Sequence, residues 1–232
     1  MNYSDPTGRY QADFHYGMTY FLAQQAGFCD DVARRIAAGA EFPDQDAGRA
    51  PVTQGKIMKS WSASAAEKNE AQNMLWQWHF PKPHRNTGEV VPGSYEAQQI
   101  IADGLSRGSL AIFSQGIHPL QDSWPHRGTP SLDGVAGHSK ARGGLLSTKT
   151  DQPWRWPVEA LQAAEATYNY LVAYRMRYPN QAGTCERSPS PWKSVATQAD
   201  AYIRLQTKSD KKAWLLKHGV TMPAIYWDDV DD

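Results

Sequence analysis

The chain has 232 residues, enough for one sizeable core, and no shift in composition divides it, so a single domain is expected. Its 24 basic and 24 acidic residues cancel, which excludes an overall charge that would steer the whole surface toward nucleic acid or an anionic membrane. No run approaches the roughly 18 apolar residues that span a bilayer, and Met1 to Arg9 lacks the basic and then apolar pattern of a secretory signal.

Those first residues contain Asp5-Pro6 and Thr7-Gly8 and read as an extended leader or junction, 1–12, ahead of a helical domain over 13–232. Phe14, Met18, Phe21 and Leu22 recur at helical spacing up to Gln25, with Gly27 as the stop. A second helix is expected from Asp30 to Ala40, capped by the aspartate, carrying Val32, Ala33 and Ile36 inward and ended by Pro43. Asp44 and Asp46 then lie beyond a helix end. Residues 47–62 read as loop, and Ala63 to Trp78 as a helix that delivers His79 at its C-terminal edge before Pro81 and Pro83 stop it.

Gly88 to Gly93 is turn-like and Ser94 to Ser106 helical. Ser109 to Trp124 forms a helix with Leu110, Phe113, Ile117, Leu120 and Trp124 on one side and His118 and Asp122 on the other. Pro125 to Pro153 is a long loop rich in Gly, Ser, Thr and Pro, a length associated with function, and it holds His126, His138 and Asp151. Helices resume over Pro157 to Tyr178 and Ser194 to His218, on either side of a Pro/Ser segment at Cys185. With no repeat and no alternation of strands, the fold class is all-α: a multi-helix domain with a metal-binding cleft and one long loop.

Chemistry concentrates in Gly116-Ile-His-Pro-Leu-Gln-Asp-Ser-Trp-Pro-His126. His118 and Asp122 lie about 40° apart around a helix, and His126 follows closely, so three donors can converge. Cys29 and Cys185 belong to no CxxC pair, and any metal must be held by nitrogen and oxygen. Two cysteines are too few for a disulfide framework; they leave a single bridge, and the redox compartment, open. Partner ligands must come from His15, Asp44, His79, His138 and Asp151, each near a helix end or in the long loop. The same His-x3-Asp spacing also makes an ordinary helix-surface pair worth roughly 0.2–0.5 kcal/mol, but six of the seven histidines lie between His15 and His138. His84 and His218 read as solvated or core-edge residues, and Trp124, Trp154 and Trp156 as packing ahead of substrate contact.

Ser109 to His126 resembles the central helix of the zinc-dependent phospholipase C and single-strand nuclease superfamily, whose phrase runs Leu-His-x-x-Gln-Asp with a further His shortly after. Here it stands as Ile117-His118-Pro-Leu-Gln121-Asp122-Ser-Trp-Pro-His126. Asp13-Phe-His15-Tyr-Gly-Met-Thr19 and the apolar positions to Ala37 resemble the opening helices of bacterial members, and the likeness spans roughly residues 13–151. The resemblance implies two or three zinc ions. His118, Asp122, His79 and Asp44 would hold one. His126 and His138 with a carboxylate would hold a second, and His15 a third, toward which Asp122 bridges. Asp44 and Asp122 would be the catalytic carboxylates, with Asp44 orienting or deprotonating the attacking water.

This chain departs from that pattern twice. The carboxylate four residues after the histidine matching His138 is replaced by Arg142, leaving Asp151 as its substitute, and the family's N-terminal tryptophan ligand has no counterpart, leaving either Asp13 in its place or the third ion absent. Tyr3-Ser-Asp5-Pro6-Thr7-Gly8 also resembles the junction that precedes the toxin domain of Rhs-type polymorphic toxins. That implies a secreted or delivered bacterial effector with an immunity protein as partner.

The leading expectation is therefore a metal-dependent phosphoesterase acting on phospholipid, with a single-strand nuclease as the alternative. Neutral net charge favours the lipid, since nucleases often carry a basic footprint, and Trp124, Trp154 and Trp156 suit either a membrane or stacked bases. A third alternative is a non-catalytic helical metal-binding or interaction module. Closed coordination by four protein ligands would favour it, because catalysis needs a position for water.

Overall fold

A computed structural model describes residues 11–79, 81, 89–128 and 152–230. A short π-helix, Asp13–Met18, leads directly into α1 (Thr19–Gln25). There follow α2 (Asp30–Gln45), α3 (Pro51–Lys59), α4 (Ala65–Trp78), α5 (Tyr95–Arg107) and α6 (Leu110–Asp122). After these come α7 (Pro157–Arg177), α8 (Trp192–Ile203) and α9 (Lys208–Lys217). The fold is all-α, with no strand among the described residues. No helix there is long and apolar enough to cross a membrane.

Helix α6 lies at the centre. Both of its sides are enclosed, the apolar one and the one that bears His118 and Asp122: every residue from Gly116 to His126 is buried. A helix enclosed all round needs neighbours that approach closely, and glycines permit that. A Cβ on Gly39 of α2 would run into Ser114, and one on Gly116 would run into the backbone of Ile101 in α5. Phe113, Ile117 and Leu120 join Phe14, Phe21, Ile36, Leu171 and Tyr174 in one core that extends to Val195, Tyr202 and Leu215.

Three expected boundaries are corrected. Helix α2 runs through Pro43 to Gln45 instead of ending before it. The missing Pro43 hydrogen bond is tolerated because α2 packs against α6 and Asp46 N closes the turn on Phe42 O at 2.9 Å. Residues 51–59, read as loop, form α3, which starts with Pro51 at a position whose N–H would be unsatisfied anyway. The single helix expected from Ser194 to His218 is two helices, because Thr207 accepts from Asp210 N at 3.1 Å and caps α9 afresh.

The expected aspartate cap of α2 is corrected as well: Cys29 occupies the cap position, and Asp30 accepts from Tyr20 Oη at 2.7 Å. Cys29 is bonded to Cys185, with Cα atoms 5.6 Å apart. This fastens the segment after α7 to the turn between α1 and α2. The expected helix starting at Ala63 begins at Ala65, after a capping box in which Ser64 and Glu67 satisfy each other's backbone donors.

Candidate metal centre

Four elements aim polar side chains at one buried place beside α6. His118 and Asp122 stand one turn apart on α6 and face the same way. Because α2 continues past Pro43, its last turn carries Asp44 in; Gly39 lets that helix come close enough. The capping residue of α4 is His79. His15 comes from the π-helix, a rare geometry that recurs at functional sites. His15, His79, His118 and Asp122 are all shut off from solvent.

The separations are those of ligands around a cation. His118 Nε2 lies 3.0 Å from His79 Nδ1, 3.2 Å from Asp44 Oδ1 and 3.2 Å from Asp122 Oδ2. His79 Nδ1 lies 3.5 Å from Asp44 Oδ1 and 3.6 Å from Asp122 Oδ2. Metal bonds of about 2.0–2.2 Å give tetrahedral edges of about 3.3–3.6 Å and adjacent octahedral ligands about 2.8–3.1 Å apart. All five distances lie within or between those limits. The other oxygen of the same carboxylate, Asp122 Oδ1, is 3.1 Å from His15 Nε2. Two overlapping donor groups result: Asp44 with His79 and His118, and His15 with His118 and Asp122.

Each ring is also held by its far nitrogen. His118 Nδ1 sits 2.8 Å from Ala40 O, and His79 Nε2 sits 3.0 Å from Arg49 O. A carbonyl oxygen only accepts, so those nitrogens carry protons. In a neutral ring, the nitrogen facing the cluster therefore presents a lone pair, the outer-sphere arrangement typical of metal-binding histidines. Neither oxygen of Asp122 accepts an aligned hydrogen bond among the described residues, although both have imidazole nitrogens within ion-pair distance. Buried nitrogens and carboxylate oxygens that converge at 3.0–3.6 Å fit a cation at the centre.

Electrostatics agree with that fit. Burial pulls the His118 ring down, but the Asp44 and Asp122 carboxylates outweigh it and hold the ring well above its ordinary range. Burial lowers His79, with only partial opposition from Asp122. Burial would raise the Asp122 carboxyl, yet the charges of His118 and His15 overcome it and hold the group well below the usual carboxylate range. A proton on His118 thus serves the carboxylates as a cation would.

Of the predicted ligands, the structure brings together His15, Asp44, His79, His118 and Asp122. His126 is fully buried in the turn after α6, its backbone N–H bonded to Asp122 O at 3.2 Å. His138, Asp151, Arg142 and His84 fall outside the described residues, as does the Asp5-Pro6 turn. Asp13 is not a substitute ligand: its Oδ2 pairs with buried Lys211 Nζ at 2.8 Å, on the side facing α9. His218 is a core-edge residue, stacked on Trp214 with ring centroids 3.7 Å apart. Trp124 is packed into the core, and Trp154 and Trp156 are half-buried.

The residues that orient the ligands were not legible as such. Gln121 stood in the motif without a role, and it bonds His15. Thr167 had only one weak signal, a threonine within the Ala-rich run of α7. Trp61, at the tip between α3 and α4, is fully exposed, unlike the three tryptophans singled out in the sequence.

The sequence profile of a family of unknown function, DUF6765, matches residues 10–131, just over half of the chain, and the protein belongs to that family. The match takes in His15, Asp44, His79, His118, Asp122 and His126 and ends before His138. No curated protein and no solved structure matches significantly.

Proposed function

We propose that this protein is a zinc-dependent phosphoesterase, with phospholipid as its first substrate class and single-stranded nucleic acid as its second. The observation that supports it most is the two-sided carboxylate of Asp122. Oδ1 faces His15 and Oδ2 faces His118 and His79, so one side chain would serve two adjacent cations. Zinc at such positions would supply Lewis acidity toward a phosphoryl oxygen and a water of lowered pKa. His15, His79 and His118 hold the nitrogen positions. Asp44, 6 % exposed, is the least enclosed carboxylate of the cluster, and on this reading it would take the proton from water. His126 and His138 remain the proposed ligands of a further ion, with Asp151 as its carboxylate.

Two features support the lipid. The chain is neutral overall, and the groove of about 430 Å³ between α3 and α4 has Glu67 and Glu70 in its wall, which repel a polyanionic strand. Trp61 beside it suits the interfacial zone of a bilayer. The delivered-effector reading, with an immunity protein as partner, rests on the Asp5-Pro6-Thr7-Gly8 resemblance. The Cys29–Cys185 disulfide fits an oxidising destination.

A second reading has its own support. Asp44, His79, His118 and Asp122 already make four protein donors, the number typical of structural zinc. Assays of zinc-loaded protein on phospholipid vesicles and on single-stranded DNA, side by side, separate the two. The proposal expects vesicle hydrolysis that chelation abolishes and zinc restores. Zinc-dependent stability with no hydrolysis of either substrate would establish the structural reading instead.

A further inference from the structure

We propose that Thr167 of α7 is a positioning residue that decides which nitrogen of His15 carries the proton. Its effect on metal binding rests on the reading above; its effect on His15 does not. The hydrogen-bond relay starts at the carbonyl of Ala163, which can only accept. Thr167 Oγ1 lies 2.8 Å from it, so the single hydroxyl proton is committed there and the oxygen is left as an acceptor. Gln121 Nε2 donates to that oxygen at 3.2 Å and to Thr19 Oγ1 at 2.9 Å. Thr19 alone sets no direction, because a hydroxyl can exchange donor and acceptor roles. Thr167 cannot, with its proton already spent.

The amide end of Gln121 is thereby fixed toward the two hydroxyls, and its Oε1 is turned to His15 Nδ1 at 2.8 Å. An amide oxygen accepts only, so Nδ1 carries the proton. In the neutral ring Nε2 then presents a lone pair toward Asp122 Oδ1, 3.1 Å away. A lone pair facing a carboxylate is repulsive unless a cation lies between them. With the Gln121 amide reversed, Nε2–H would donate to Asp122 and the pair would satisfy itself without metal. Thr167 excludes that closed arrangement. All four side chains are buried, so water does not blur the choice. Thr167 lies outside the region matched by the family profile, so a helix beyond that region sets the state of a ligand within it.

The test uses the full chain and two substitutions. Nitrogen NMR of the imidazoles is recorded after metal removal at about pH 9, above the ordinary histidine pKa near 6.5. The parent is expected to show His15 protonated on Nδ1, Thr167→Val to shift the proton toward Nε2, and Thr167→Ser to restore the parent pattern. The His118 Nδ1–H bond to Ala40 O reports in the same spectra that the fold is intact. Titration with zinc and with cobalt(II) should then show one site weakened about 10–100-fold by Thr167→Val, the usual range for an outer-sphere partner, and unchanged in Thr167→Ser. A proton on His15 Nε2 in the parent, or an Nδ1–H form unmoved by Thr167→Val, overturns the proposal. If the parent takes up no metal, the function proposed above fails while the His15 spectra still decide this one.

Discussion

Residues 11–128 supply every donor in the two His/Asp groups, whereas residues 152–230 supply none of them and instead brace the first region from outside. The bracing is chemically specific. Lys211 neutralises Asp13 beneath the π-helix that carries His15, and Tyr202 Oη donates to the carbonyl of the same Asp13 at 2.9 Å. Cys185 ties the segment after α7 to Cys29, and Thr167 reaches Gln121 from behind. Among the described residues the donors thus come from one part of the chain, and their supports come from both. A buried site needs both, since side chains held within a fraction of an ångström depend on the residues packed behind them.

The largest stability effect should come from Lys211. Lys211→Met leaves the Asp13 carboxylate buried beside an apolar chain, and such broken pairs cost about 3–5 kcal/mol. Denaturant unfolding should show that loss, and Lys211→Met combined with Asp13→Asn should recover most of it. A single variant as stable as the parent would mean that the C-terminal region braces less than the geometry implies.

Next comes the disulfide, which closes a loop across 156 positions. Replacing both Cys29 and Cys185 with serine should lower stability by about 2–4 kcal/mol and leave metal content unchanged. Metal loss in that variant at temperatures where it remains folded would dissolve the division between ligands and braces.

Trp61 sharpens the comparison from the other direction. It belongs to the ligand-bearing region but touches no donor, and Trp61→Ala should alter stability by no more than about 0.5 kcal/mol. Vesicle hydrolysis should fall several-fold while turnover of a soluble phosphodiester holds. Equal loss on both substrates would place Trp61 in the site and not at a membrane.

Much of the cluster was readable because metal donors are few and a helix imposes their spacing: His118 and Asp122 declared one another, and His15, Asp44 and His79 stood at helix ends. Helix class followed from periodicity, since α5, α6 and α7 lie within a residue or two of their expected limits. What failed did so through tertiary packing. Pro43 was read as a stop, but contact with α6 carries α2 onward and makes Asp44 part of a helix. Asp13 looked like a ligand until Lys211, almost two hundred positions away, claimed it. Gln121 and Thr167 carry no signature of their role, because that role is to point a hydrogen bond, and any small polar pair offers one.

The central claim is that Asp122 joins two cation positions. Metal content by mass spectrometry, on protein purified without added metal and again after zinc addition, tests it most directly in the parent, Asp122→Asn and His118→Ala. The account predicts two or three zinc ions in the parent, loss of more than one on changing Asp122, and a smaller loss on changing His118. A parent that holds no metal in either preparation, or an Asp122→Asn variant with the parent's full content, would contradict it.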